Sequence, residues 1–485
     1  MRQFISSKKI PLLFIFAFLI RLINLNQSLW LDEATTAIAV KTHSFTQIIT
    51  QFSPADFHPP LYYLFMDLWT NVFGYSEIAL RMPSVIFSLG TGWMIYLIIK
   101  DIHGFFGRRL SQNDTVGFWA TAFFLFNPLI IYYSQEARMY SMATFFIAVS
   151  FYFFVRVMKH EKCNRRHSTI RSDFLLLNIF LILSFYTFYA SIFYIATVYL
   201  YLLWTQKHKG RILMSGIVVA LGIAAILPLV FDQYTNSRLA LESVTNWSLV
   251  LGNVSVKNIL LIPIKFTSGR ISFEPKMLYY ALAGGWMAFL TFPIILNLFR
   301  RLEGLFGMTL FFFITPLILG TIFSLNSPLL QYFRFQYLIL FLSIILGISC
   351  CHSEQSEESR KGMDPSHSFR MTRYIVLIGF ISWSLAYLLL PQFHREDWKS
   401  LAQELRLQNM PIYMISSSSD PLKYYAPELQ VGDVRMINGT ATGSFIIIPY
   451  TADIHGVEYQ KSLSKSYSLK STYSVRGLIY EVWSR

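Results

Sequence analysis

The sequence predicts an all-α polytopic membrane protein that carries a small α/β domain at its C-terminal end. Three observations carry that expectation. Hydrophobic residues make up 54% of the 485 positions and charged residues only 14%, which is more apolar surface than a soluble core can hide. The apolar residues gather into runs of the length a helix needs to cross about 30 Å of hydrocarbon. Beyond residue 390 those runs stop, and short segments with helix and strand periodicity take over.

The first run, 10–20, follows Lys8 and Lys9 as a secretory signal would. Arg21, Asn24, Asn26 and Gln27 stand where a cleavage site needs small residues. It is expected to remain as a first span, with Arg21 snorkelling to the interface. Further spans are expected at 78–99, 117–133, 140–155, 174–189, 192–203, 212–231, 278–299, 305–325, 332–349 and 374–390, about eleven in all. The stretch 174–203 fits two short spans or one long tilted helix, and the charge pattern favours two.

Cytoplasmic loops collect Lys and Arg. With the N-terminus in the cytoplasm, about half of the 41 basic residues fall in alternate loops, the group from Arg156 to Arg171 being the densest. Intervening loops hold few. The expected location is the cytoplasmic (inner) membrane, with an extracytoplasmic C-terminal domain. The net charge of +14 then reflects topology and anionic headgroups, and no nucleic-acid partner is expected. Cys163, Cys350 and Cys351 all lie on the cytoplasmic side, where thiols stay reduced, so no disulfide framework is expected.

A transmembrane domain over 1–390 and a soluble domain over 391–485 are expected. Within the first, the extracytoplasmic loop 24–77 is rich in aromatic residues but broken by Pro54, Pro59 and Pro60, which suits short helices lying along the membrane surface. Residues 232–274 form a second outer loop. The Ser/Glu/Arg-rich stretch 351–373 reads as a disordered cytoplasmic insertion. In the tail, 397–405 is expected as a helix, with strands at 412–415, 445–448 and 477–483.

Three clusters carry candidate chemistry, and the predicted topology brings all of them to one side of the membrane. Asp32 and Glu33 stand just past the first span, where a carboxylate can serve as general base towards a hydroxyl; acidic residues also favour a first helical turn, so a plain helix cap fits equally. Asp56 and His58 precede Pro59 and Pro60, whose rings hold the backbone extended ahead of a helix starting at Leu61. Glu136 and Arg138 lie between the third and fourth spans. Ionisable groups at that depth pair or work: they form either a local ion pair or, respectively, an acceptor or cation contact and a planar fork for phosphate.

Four ordered motifs, SLWLDEATT (28–36), DFHPPLYYLFMDLW (56–69), FGYSEIALRMPSVIFSLGT (73–91) and NPLIIYYSQEARMYSM (127–142), resemble the GT-C membrane glycosyltransferases. QYFRFQYLILFLS (331–343) and REDWKSLAQEL (395–405) are similar more loosely. The branch resembled is that of protein O-mannosyltransferases, aminoarabinose transferases and Rgt-type lipopolysaccharide sugar transferases, families 39 and 83. The match is dense over 29–140 and diffuse beyond. The resemblance implies a GT-C-like fold and a glycosyltransferase that takes a hexose or pentose from a polyprenyl-phosphate-linked sugar, with inversion, to a lipid, glycan or protein acceptor. It implies Asp32 as catalytic base with Glu33 beside it, and Glu136 at the second acidic position. Asp56, His58, Arg138, Tyr140 and Arg334 would meet donor phosphate or anchor the loop. The chain departs from many aminoarabinose-transferase relatives at 185–190, FYTFYA, where they carry a Lys for the donor phosphate. A divalent cation would fall at Asp56, His58 and Glu136, whose spacing matches no zinc pattern.

Two other classes stay open on sequence. A transporter or lipid flippase would show internal repeats and charges near the midplane; no clear repeat is visible and the acids gather at one rim. A membrane scaffold would need Asp32 only as a cap.

Overall fold

The computed structural model describes residues 2–102, 110–162, 167–300, 304–352, 366–437 and 443–485. The chain divides into two compact units, one of Met1–Ile23, Met82–Leu227 and Asn253–Phe393, the other of Asn24–Arg81, Pro228–Gly252 and His394–Arg485.

The first unit holds most of the apolar helices. Among the described residues seven helices are long and apolar enough to cross a membrane, or up to nine if each of two bent pairs is one span. The protein is thus an integral membrane protein, and among the described residues fewer full-length spans are found than the expected eleven. Two of the reasons are local. The stretch 174–203 forms two helices, His167–Thr187 and Ser191–Thr205, and the second, at 15 residues, is short for a span. The expected span 117–133 is bent by 58° between Asp114–Leu125 and Pro128–Ser134. Asn127 makes that break: its side-chain oxygen accepts from the Leu129 and Ile130 amides at 3.0 and 3.2 Å, and its amide donates to the Phe266 carbonyl at 2.8 Å. Pro128 follows at the first helical position, so an N-cap and a proline start a new helix inside apolar sequence.

Arg21 does not snorkel. It is fully buried and donates to the Ala17 and Leu125 carbonyls at 2.8 Å each and to Ser88 Oγ at 3.2 Å. Backbone acceptors inside the unit replace water around its charge, as a buried guanidinium requires. Of the insertion read as disordered, 353–365 lies outside the described residues, and 366–373 is helical, opening the Ser366–Leu389 span. Cys163 also lies outside them.

In the second unit, loop 24–81 forms helices Leu31–Thr42 and Leu61–Phe73 with short turns between. Residues 398–484 build a five-stranded sheet in the order β2-β1-β3-β5-β4, with β1 Ile412–Met414, β2 Val431–Asp433, β3 Ser444–Ile447, β4 Ser468–Val475 and β5 Leu478–Ser484. β1 is parallel to β2 and β3; β5 is antiparallel to β3 and β4. The helix Trp398–Arg406 starts at Asp397, whose carboxylate accepts from the Ser400 amide at 3.1 Å. It buries Trp398, Leu401, Ala402 and Leu405, one helical face, against Ile412, Met414 and Ile446. Phe445 and Ile447 point to the other face, with Trp483 and Tyr467, as strand alternation demands.

Candidate active site

In the second unit the acidic pair splits. Helix Leu31–Thr42 opens after Trp30, and Glu33 is fully buried at its third position. Its two oxygens accept from Arg81 Nε at 2.8 Å and a terminal guanidinium nitrogen at 2.6 Å. The Trp30 amide donates to the same carboxylate at 3.4 Å, the Glu33 half of a capping box, in which Glu33, rather than Asp32, turns back on the helix start. Arg81 also donates to the carbonyls of Leu25, Gln27 and Ser28 at 2.9, 2.6 and 3.0 Å, so each of its five donors is used. The segment 25–33 is wrapped around one guanidinium. Asp32, one residue earlier, is half-buried.

Asp56 and His58 do come together: His58 Nδ1 is 3.2 Å from Asp56 Oδ2, which also accepts from the Tyr63 hydroxyl at 2.7 Å. Gln233, which the sequence reading missed, donates to the carbonyls of Ser53 and His58 at 2.7 and 3.0 Å, and Asn236 donates to that of Pro54 at 2.7 Å. The loop geometry is thus held from a helix about 175 residues further along.

In the first unit, the segment holding Glu136 and Arg138 joins helices Pro128–Ser134 and Tyr140–Lys162 and is buried. Ser84 Oγ donates to the Glu136 carbonyl at 2.6 Å, and Gln135 donates to those of Arg21 and Ile23 at 2.9 and 2.7 Å. A cation that the sequence reading missed lies beside it: Arg270 is 3.9 Å from the Glu136 carboxylate, donates to the Tyr132 hydroxyl at 2.9 Å and stacks over that ring. Gly269 allows the approach. It ends helix Val256–Ser268 at φ +73°, and a Cβ there would meet Pro128 Cβ at 2.9 Å. Tyr140 packs its ring on Tyr133, Phe188 and Phe333, and Arg334 lies over the Phe333 ring.

Lys265, on the same helix as Gly269, is buried; its ammonium donates to the Ile271 carbonyl at 2.7 Å and sits over the Tyr279 ring. Burial, with Arg270 and Lys276 nearby, pushes its pKa down to about 7. Because the group's ordinary value is 10.5, the unfolded chain holds the extra proton between those two values, and stability rises with pH through that window. Melting of detergent-solubilised protein between pH 7 and 9 should show this rise, and Lys265→Met should flatten it. An unchanged slope in the variant would refute the assignment.

Among the described residues no three His, Cys, Asp or Glu side chains are grouped so as to hold a metal ion. The cation set expected at Asp56, His58 and Glu136 is not such a group.

Fold and apolar helices define the class: this is an integral membrane protein whose fold is shared with solved membrane glycosyltransferases. Its particular likeness is to ArnT from Cupriavidus metallidurans in the apo state, with a TM-score of 0.60, 11% identity and 98% of each chain covered. The same enzyme bound to undecaprenyl phosphate matches at 0.57 and 12% identity, over 98% of this chain and 97% of that one. The archaeal oligosaccharyltransferase AglB from Archaeoglobus fulgidus, in complex with an inhibitory peptide and a dolichol-phosphate, matches at 0.52 and 9%, over 97% of this chain and 73% of its own. Residues 57–231 match the family described as dolichyl-phosphate-mannose-protein mannosyltransferase. No curated protein sequence matches the chain.

Proposed function

We propose that the protein is a membrane glycosyltransferase. It moves a sugar from a polyprenyl-phosphate donor to an acceptor hydroxyl on the extracytoplasmic side, with inversion, and Asp32 is its general base. The observation that carries this reading is the position of Asp32: it is half-buried in the first turn of helix Leu31–Thr42, next to Glu33, which is buried against Arg81 and fixes that turn. Relatives in fold that bind undecaprenyl phosphate or dolichol-phosphate support the donor class.

In the proposed step Asp32 takes the acceptor proton as the acceptor oxygen bonds to the anomeric carbon. The bond from that carbon to the phosphate oxygen breaks, and its electron pair leaves with polyprenyl phosphate. The donor is a phosphodiester and the product a phosphomonoester, so negative charge grows on the leaving oxygen and a fixed cation favours the transition state. Glu33 is a structural anchor in this reading, and Asp56 with His58 shapes the loop.

The reading is tested by mass spectrometry of lipid-linked sugars and envelope glycans in cells with and without the protein. Its loss should make one polyprenyl-phosphate sugar accumulate and remove that sugar from one acceptor; unchanged profiles of both would overturn it.

A further inference from the structure

Residues of the C-terminal sheet region reach the helix that carries Asp32. Tyr425 accepts a hydrogen bond from the Leu29 amide at 2.8 Å, and its own hydroxyl lies 3.3 Å from Glu77 Oε1. The Thr35 hydroxyl donates to Asp420 Oδ2 at 2.9 Å. The Lys399 amide donates to Ser28 Oγ at 3.2 Å, and the Arg395 guanidinium stacks 3.7 Å from the centre of the Trp30 ring. All five residues held, 28, 29, 30, 35 and 77, belong to the same compact unit as their partners. They flank Asp32 on both sides: three lie within four positions before it and Thr35 lies one helical turn after it.

Each partner follows from local structure. Asp420 and Tyr425 sit at the two ends of a single short helix after β1, and Arg395 and Lys399 bracket the start of helix Trp398–Arg406. That helix packs Trp398 and Leu401 in the sheet core, so the tethers are anchored in a well-packed body. Burial pushes the Tyr425 phenol above its ordinary pKa, which keeps its hydroxyl protonated and available to Glu77.

We propose that Tyr425 and Asp420 are positioning residues for the transfer reaction, holding the Leu29–Thr35 segment so that the Asp32 carboxylate meets the acceptor hydroxyl. This rests on the reading of Asp32 as base. A displacement of about 1 Å at a reacting group can cost about 100-fold in rate, so tethers on both sides of Asp32 act on catalysis without touching substrate. The Thr35 hydroxyl can also turn to the Leu31 carbonyl at 3.0 Å, so the tether exists only while position 420 offers an acceptor, and an amide oxygen serves as well as a carboxylate. The exposed Lys423 pairing of Asp420 contributes little by comparison.

The test uses full-length Tyr425→Phe, Asp420→Ala, Asp420→Asn and Asp32→Asn, each expressed in cells lacking the native protein. Three quantities are read: acceptor glycan formed per folded protein, melting temperature in detergent, and hydrogen exchange of residues 28–36. Tyr425→Phe and Asp420→Ala should each lower product about tenfold and speed exchange in 28–36, with melting little changed. Asp420→Asn should restore product, which a role in overall folding or charge would not give. Wild-type product in Tyr425→Phe and Asp420→Ala, with Asp32→Asn inactive, overturns the positioning role alone. So does a loss that tracks melting temperature and is not rescued by Asn. Product retained by Asp32→Asn overturns the base assignment and this inference with it.

Discussion

Asp32→Asn should abolish sugar transfer, lowering the rate at least 100-fold and up to about 10,000-fold, while insertion, folded yield and melting temperature stay at wild-type values. The chemical half of the expectation is simple. An amide has the shape of the carboxylate but cannot take a proton from the acceptor hydroxyl. The structural half comes from the division of roles around Arg81. The helix start is capped by Glu33 turning back on Trp30, and the segment before it is held by Arg81 on the carbonyls of Leu25, Gln27 and Ser28. The Asp32 backbone carbonyl accepts from the Thr36 hydroxyl at 3.0 Å, a bond the substitution leaves intact. Asp32→Ser supplies the complementary comparison, since it offers a capping oxygen without a carboxylate. It should be as inactive as Asp32→Asn. Full function in Asp32→Ser would show that no carboxylate is needed at this position, the outcome that fits a scaffold.

What the sequence made legible was local and periodic. Apolar run length marked the spans, and the spacing of Trp398, Leu401 and Leu405 marked a helix within one residue of its observed start. The proline pair put the start of helix Leu61–Phe73 at Leu61, and alternation found β1, β3 and β5. β2 and β4 escaped because neither has an apolar run: β2 is the three residues Val431–Asp433, and β4 is a mostly exposed edge strand. The bend at Asn127 did leave a signal, an Asn-Pro pair inside an apolar stretch, which is a helix start in any other context. At the candidate site the acidic residues could be found but their division of labour could not. Glu33 and Asp32 are chemically alike and adjacent; only Arg81, 48 residues away, separates them. Arg81 did carry a mark, an arginine early in an apolar helix, which needs a buried partner. Arg270 carried none, being one of several cations in a mixed loop until Gly269 turns it towards Tyr132 and Glu136. Contacts such as Tyr425 with Leu29, 396 residues apart, have no local signature at all.

Arg81→Met should be the most destabilising single change in the loop unit. Arg81 and Glu33 are both buried, with side chains 3% and 1% exposed, and removing one partner of a buried pair leaves the other charge uncompensated at a cost of about 3–5 kcal/mol. Three carbonyls lose their donor as well, at about 1 kcal/mol or more each where water cannot replace it. Together these approach the whole stability of an ordinary domain, about 5–15 kcal/mol. The expected result is a steep fall in folded yield and melting temperature, read by size-exclusion profile and thermal scan of the detergent-solubilised protein. Arg81→Lys should rescue little, because an ammonium has three donors against the five bonds that the guanidinium makes. The double variant Arg81→Met with Glu33→Leu separates the two contributions. It removes the orphaned charge but not the three orphaned carbonyls, so it should regain part of the loss and stop short of wild type. A single Arg81→Met variant that melts with the wild type would show that the lock around Glu33 does not hold the loop, and the fixed position of Asp32 would then need another cause.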